Sequence, residues 1–374
     1  MGVNLFNLYW IRDITQHPIG SDFSIYFEAF LNASKMVNPY EPYNIGRSFI
    51  NHPFLLSLIS LLTNRDHNFI FTYLIWIGLS IMAWGVTLFT NLQSIAGSKH
   101  KVLLFFILIL GFGPFYEALY IGQVNAFVIL AISLFFHFRK KEWLMGIFLA
   151  IAIVLKTSPI LFLLFLFVTR RWVAIAFCVL SVVVLTIIPV IQFHPSVLFQ
   201  FIDAILKVGS EIHPTVYNES FVSSIYRLFH IIYPDGIAAI LSRTVNQVCM
   251  VAIIFLTGIV QFIFQRKNTE NLLFLCFLTV MVVFSPLVWY HHFTFFIIPI
   301  LALPQYPIVF KKPEILVGIV LGLLQLQRVV ELFWQPGFPT IVVSVFLLIF
   351  YTFAFAKTAL KGRDANYSNA EIQI

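Results

Sequence analysis

Charge is what this chain has least of. Asp, Glu, Lys and Arg make up 10% of the 374 residues, where a soluble globular chain carries roughly 25%. So little charge does not coat a water-facing surface, which excludes a soluble cytosolic enzyme. With 60% apolar residues the chain is not disordered either. Cysteine is also scarce. Cys178, Cys249 and Cys276 all sit inside apolar runs without metal-ligand spacing. That leaves neither a secreted disulfide scaffold nor a cysteine metal site, and the thiols serve as packing residues. There is no Gly-rich phosphate loop, no sustained internal repeat, no low-complexity tract and no signal peptide. A myristoylation motif fails because Phe6 stands where Ser or Thr is preferred. What is abundant is apolar surface: Phe alone occurs 43 times, and the mean hydropathy is +0.92. The class that follows is an all-α integral membrane protein. The net charge of +7 does not point to nucleic acid, because the basic residues fall in short clusters between apolar runs and act as topology signals.

A helix needs roughly 20 apolar residues to cross the hydrocarbon core. Candidate spans lie at 68–92, 102–115, 119–138, 143–155, 157–169, 172–193, 237–264, 271–285, 290–303, 315–333 and 339–359. A shorter apolar piece at 54–62 is expected to be re-entrant or interfacial. The expectation is a polytopic helical bundle of about 10–12 membrane segments. It forms one domain over residues 1–360, followed by a polar cytoplasmic tail over 361–374. Residues 1–10 are too short to span. With Asp22 outside, the first residues start outside or are inserted unaided, and a further span upstream, missing from this chain, is the simplest repair.

Alternating loops then divide into two sides. One carries Lys99, Lys101, Arg139, Lys140, Lys141, Arg170, Arg171, Arg266, Lys267, Lys311, Lys312, Lys357, Lys361 and Arg363. The other carries Arg12, Lys35, Arg47, Arg65, Lys156, Lys207, Arg227, Arg243 and Arg328. The clusters in short loops belong to the first side, which is therefore the cytoplasmic one. The outer side owns both long polar stretches, about 12–67 and 194–236, and long loops are where function concentrates. One spacing is especially informative. Between Lys141 and Arg170 the chain leaves the cytoplasmic face and returns in about 28 residues, whereas two full crossings need roughly 40. The turn Lys156-Thr157-Ser158-Pro159 therefore lies within the membrane depth. Pro159 is expected to push Ser158 out of helical angles. Broken backbone and a lysine at that depth call for a polar cavity or burial in protein.

The costly polar residues each carry two readings. Ser21 or Asp22 caps a helix running to about Lys35, or Asp22 is a general base at the membrane–water boundary, its pKa raised by desolvation. Gln123 or Asn125 caps the span that begins at Gly122-Gln123-Val124-Asn125, or both amides line a cavity and bond sugar hydroxyls. Lys156 snorkels, or binds phosphate. Asn218-Glu219-Ser220 matches a glycosylation sequon, and nearby Arg227 pairs with an acid or grips a phosphate. In Ser285-Pro286-Leu287-Val288-Trp289-Tyr290-His291-His292, the aromatics sit at an interface, or a histidine bonds phosphate and Trp289 stacks on a sugar or lipid. Adjacent histidines point about 100° apart on a helix and make a poor metal pair. Asp22, Gln123, Asn125, Lys156, Asn218, Arg227, His291 and His292 all fall on the outer half of a topology derived from other residues.

In this order the pieces resemble glycosyltransferase family 87, which includes polyprenol-phosphate-mannose-dependent mannosyltransferases of the GT-C type. The resemblance rests on Asp22 and Tyr26, then Asn38-Pro39-Tyr40, Gly122–Asn125 and a Lys-x-x-Pro hairpin at Lys156–Pro159 ahead of Arg170-Arg171. Asn218 and Ser220 before Arg227, and the run from Ser285 to His292, complete it. The resemblance implies a GT-C helical fold and a hexosyltransferase in a bacterial inner membrane. Its site faces the non-cytoplasmic side and takes a polyprenyl-phosphate sugar, with mannose the expected hexose. It implies a lipid or glycan acceptor, membrane lipids as partners, no cofactor, no metal and no nucleic acid. By the same resemblance Asp22 is the base. Lys156, Arg227, His291 and His292 hold the donor phosphate, while Tyr26, Gln123, Asn125, Asn218 and Trp289 bind sugar or acceptor. Two alternatives compete. A transporter or flippase of lipid-linked sugars also predicts broken helices, but expects repeat symmetry between halves. A non-enzymatic assembly protein would tolerate loss of Asp22.

Overall fold

A computed structural model describes residues 19–41, 48–63, 68–94, 112–212, 218–264, 269–302, 319–320, 323 and 338–369. Among these the regular elements are all helical. Most of the expected spans 315–333 and 102–115 lies outside them, as do segment 1–10, Arg12, Arg47, Arg65, Lys99, Lys101, Arg266, Lys267, Lys311, Lys312 and Arg328.

The first long polar stretch contributes α1 (Ser21–Ser34) and α2 (Phe54–Leu62). Then come α3 (Phe69–Ser94), α4 (Gly113–Tyr120), α5 (Asn125–His137), α6 (Glu142–Leu155), α7 (Phe162–Val168) and α8 (Trp172–Phe193). The second stretch folds into α9 (Ser196–Ser210) and α10 (Phe221–His230). The remainder is α11 (Asp235–Phe264), α12 (Glu270–Val283), α13 (Ile297–Ala302) and α14 (Phe338–Asn369). Within α3, α8 and α11, three stretches are long and apolar enough to cross a membrane: Phe69–Asn91, Trp172–Phe193 and Asp235–Phe262. Shorter apolar helices fill in between them, among them Asn125–His137, Glu142–Leu155, Ser158–Val168 and Glu270–Val283.

Exposure separates the two classes. The long helices present Leu74, Met82, Phe89, Val173, Leu180, Val184 and Phe255 outward, as a lipid-facing surface does. In α12, by contrast, every residue from Leu272 to Val283 is buried, so a helix apolar all round sits at the centre. It packs against α14, α11 and α7. Close approach is secured by small residues. A Cβ at Gly146 on α6 would run into the Ala174 carbonyl of α8, which is how membrane helices gain van der Waals contact.

One end of the bundle is tied by Arg171. Its Nε donates to Glu270 Oε1 at 3.0 Å, Glu142 lies at 3.8 Å, and a guanidinium nitrogen reaches the Arg139 carbonyl. The turn before α6, the start of α8 and the start of α12 thus share one end. α5 runs toward that end, and α6 leaves it to finish at Lys156. Its 14 residues rise about 21 Å, less than the ~30 Å hydrocarbon core. α6 alone is therefore too short to cross that core.

Four expectations change in detail. The span 119–138 is two helices, α4 and α5, separated by a turn. The break at the Lys156 hairpin falls on Lys156 itself (φ −154, ψ 130). Ser158–Leu161 is a 3-10 turn with Pro159 near its start, where a missing N–H costs nothing. The span 290–303 is a 3-10 turn, Tyr290–Phe296, followed by α13. Pro299 explains this, because its ring clashes with the carbonyl four residues earlier, at Phe295, and stops a continuous α-helix there. Finally, α14 continues through the polar tail to Asn369.

Candidate active site

The site is assembled on the turn between α4 and α5. Gly122 N bonds Leu119 O at 3.1 Å and Gln123 N bonds Ala118 O at 2.8 Å, the paired bonds of a Schellman stop, with Gly122 left-handed at φ +76. Tyr73 and Trp76 of α3 fix this turn by donating to Tyr120 O and Gly122 O, each at 2.9 Å. α1 starts on it. Gly20 N bonds Tyr120 O at 2.9 Å, and the amides of Asp22 and Phe23 both donate to Ile121 O at 3.0 Å. The first orphan donors of α1 are thus met by a neighbouring carbonyl. No side chain caps α1, so neither Ser21 nor Asp22 is its cap. A Cβ on Gly122 would lie 2.6 Å from Phe23 Cβ. Gly122→Ala, strained in backbone angle and in space, is expected to cost about 2–4 kcal/mol. Thermal unfolding of the purified protein checks this, and an unchanged midpoint would refute it.

Two buried amides carry the charged groups. The Tyr26 hydroxyl donates to Gln123 Oε1 at 3.0 Å, which forces Gln123 Nε2 toward Asp22 Oδ2, to which it donates. Two residues on, Asn125 Oδ1 accepts from Lys156 Nζ at 2.9 Å while its Nδ2 donates to the His291 carbonyl at 3.0 Å. Neither amide caps α5, whose cap position is Val124. Each uses both its oxygen and its nitrogen on protein groups, so the pair acts as a bridge between the carboxylate and the ammonium. Asp22 and Lys156 are close enough for their charges to interact.

Lys156 is held from several directions. It follows the C-terminus of α6, the negative end of the helix dipole. Its Nζ lies 5.5 Å over the Phe295 ring, within cation–π range. Asn51 of the first loop donates to the Leu155 carbonyl at 3.0 Å, and Tyr40 donates to the Asn51 carbonyl at 3.0 Å. The first long loop is thereby anchored beside the break in the hairpin.

The segment 285–292 closes the third side. Asn218, fully buried, clips it to the second loop. Asn218 Oδ1 accepts from Val288 N (3.0 Å) and Ser220 N (3.2 Å), and Nδ2 donates to Pro286 O (3.1 Å) and Ser223 Oγ (2.7 Å). Asn218 is therefore consumed by backbone. Ser220 caps α10 through Ser223 N. Arg227 turns back to donate to Asn218 O at 3.1 Å and Ser224 Oγ at 3.2 Å, and its charge is felt by Glu219. It joins the centre through Asn218. His292 Nδ1 lies 3.1 Å from both Trp289 N and Leu287 O, a lone pair suiting the first and a proton the second. His291 Nδ1 meets Glu117 Oε1 at 3.3 Å.

Exposure sorts these groups. Tyr26, Gln123, Asn125, Asn218 and His291 are buried, while Asp22, Lys156, Arg227, Trp289 and His292 are half-buried. The latter set is the one a ligand can reach. Burial pushes the Asp22 carboxyl up to about 6, against the opposing pull of the Gln123 amide and the Lys156 ammonium. Among the described residues no group of three or more His, Cys, Asp or Glu gathers as a metal site.

Sequence reasoning missed Glu117 and Asn51. An acid within an apolar stretch was the available signal for Glu117; Asn51 carries none.

A family model described as Glycosyltransferase family 87 matches residues 49–286. No curated protein matches the chain.

Proposed function

Given that this chain belongs to glycosyltransferase family 87, we propose that it moves a hexose, mannose by its resemblance, from a polyprenyl-phosphate sugar to a hydroxyl of a lipid or glycan acceptor. Membership makes it a membrane glycosyltransferase and favours sugar transfer over translocation. The observation that carries the finer reading is the Asp22–Gln123 and Asn125–Lys156 arrangement. It sets a carboxylate and an ammonium that both keep some exposed surface close to each other.

The chemistry follows from those two charges. An acceptor hydroxyl is a poor nucleophile, so Asp22 takes its proton as the oxygen attacks the anomeric carbon. The bond from that carbon to the phosphate oxygen breaks, and the electron pair leaves with the polyprenyl phosphate. One displacement inverts the anomeric centre through an oxocarbenium-like state. The departing phosphate is already an anion and needs no acid. Lys156, supported by His292, His291 and Arg227, supplies positive charge where it accumulates. Trp289 offers a face to the sugar or the lipid. Neither a metal nor a cofactor takes part in this scheme. Short basic clusters at the opposite end of the bundle favour a non-cytoplasmic site in a bacterial inner membrane.

The test is transfer by the purified protein from polyprenyl-phosphate mannose to a lipid acceptor, with product anomers resolved by NMR. A retained configuration would exclude the single displacement. The base assignment also sets a pH profile. Asp22 works ionised, so kcat/KM is expected to be level above pH 6 and to fall about tenfold per unit well below it. A flat profile down to pH 4.5 would contradict the assignment.

A further inference from the structure

We infer that α9 lies along the membrane surface as an interfacial helix. Its Phe199, Ile202 and Leu206 edge seats among the acyl chains of the adjacent leaflet, and its Asp203–Lys207 edge stays in water. This surface is independent of which sugar or donor the protein uses.

The first argument is the pattern around the helix. Successive side chains of α9 stand about 100° apart. Val197, Phe201, Ala204 and Val208 are buried against the bundle and share one sector of about 60°. Phe199, Ile202 and Leu206 share another of about 60° on the opposite side. Phe199 and Leu206 are 70% and 66% exposed, so protein does not cover them. Asp203, Lys207 and Ser210 occupy a third sector between these two and are exposed, with Lys207 Nζ 2.9 Å from Asp203 Oδ2. Three sectors call for three surroundings: protein, hydrocarbon and water. A helix lying in the bilayer surface at the rim of a bundle meets all three.

The second argument is the level of its two ends. α8 leaves the Arg171 end at Trp172, and its 22 residues rise about 33 Å, close to one hydrocarbon core. His194, at φ +136, then turns the chain into α9. At the far end of α9, Arg243 of α11 donates to the Ser210 carbonyl, a cation on a helix C-terminus. From Thr244 to Phe264 α11 carries no Asp, Glu, Lys or Arg, and that stretch rises about 31 Å, again one core. α11 finishes shortly before Glu270, the partner of Arg171, so both lengths are measured from the same end of the bundle. The two ends of α9 therefore lie at one boundary of the hydrocarbon, and the helix between them runs nearly parallel to the bilayer. Its apolar edge joins a surface that already faces lipid, since α9 packs against α8, whose last two turns expose Ile187, Ile188 and Ile191.

What α9 rests on gives this seating a consequence. Phe201 meets the His52 ring edge-on at 5.1 Å and the Tyr40 ring at 6.1 Å. Tyr40 bonds the Asn51 carbonyl, and Asn51 holds the Leu155 carbonyl. The layer against which lipid holds α9 is thus the one that carries the break at Lys156.

Nitroxide accessibility on the full chain in lipid nanodiscs tests the inference. Cys249→Ala removes the half-buried thiol, while Cys178 and Cys276 are buried. Phe199→Cys, Ile202→Cys and Leu206→Cys report one edge; Asp203→Cys, Lys207→Cys and Ser210→Cys report the other. Oxygen, which concentrates in hydrocarbon, is expected to relax the first three labels more than a water-soluble nickel chelate does, with the order reversed at the other three. Labels at positions 199 and 206 should share one depth, whereas an upright helix would separate them by about 10 Å. Nickel favoured on both edges would overturn the inference. So would exclusion of both reagents from positions 199, 202 and 206 by a second copy or another protein, or a depth difference near that of an upright helix. The unaltered protein gives a second reading that no substitution can disturb. A phosphatidylcholine with a diazirine in its acyl chain is expected to photolabel the peptide bearing Phe199, Ile202 and Leu206. Absence of that label beside a labelled α8 would equally overturn it. Neither measurement uses a substrate, so failure of the proposed transfer would leave both results standing.

Discussion

Asp22→Asn is expected to lower turnover about 10²- to 10⁴-fold, the range supplied by a positioned general base. The substitution keeps nearly every contact. An asparagine oxygen can still accept from Gln123 Nε2, and α1 keeps its backbone bonds to Ile121. What disappears is the proton acceptor. Because burial disfavours the ionised carboxyl, the neutral amide should leave the thermal midpoint unchanged or raise it. Loss of rate with intact unfolding is the pattern that separates chemistry from scaffold. Full turnover in Asp22→Asn would assign the proton transfer elsewhere.

Lys156→Met should reduce kcat/KM for the polyprenyl-phosphate donor about 10²- to 10³-fold, comparable to losing one electrostatic donor from a preorganised site. The acceptor KM should stay put. Part of any loss will come from Asn125, whose Oδ1 is left without the ammonium and pays for an unmet buried group. Lys156→Gln separates the two contributions, since its amide still donates to Asn125 but carries no charge. A loss in Lys156→Gln close to that of Lys156→Met identifies charge as the operative property. A mild effect in Lys156→Gln would make the lysine a strut.

The sequence carried the helical membrane class because hydrophobic length is a local signal. Counting residues between Lys141 and Arg170 located the break near Lys156 without any tertiary information. The same kind of signal was present at Gly122 and Pro299. Gly122 was read only as the beginning of a span, although a glycine after an apolar run is also how helices end. Pro299 was passed over inside an apolar stretch that its ring interrupts. The functions of the amides were illegible for a different reason. Gln123 bonds across 101 positions to Asp22, and Asn125 across 166 to His291. No periodicity encodes such pairings, so the reading of either amide as the helix cap had nothing to correct it. Asn218 shows the same limit, its amide being spent on Val288 and Pro286 some 70 positions away.

The suspension of α1 from the Ile121 carbonyl bears on how relatives of this chain can be recombined. A graft of residues 19–41 alone would part Asp22 from the peptide that orients it. Crossovers placed so that 19–41 travels together with 113–126 would carry Asp22, its Gln123 partner and the helix that bears Glu117 as one cassette. Chimeras cut on those borders are the ones in which a change of acceptor preference can be credited to the loops and not to a displaced carboxylate.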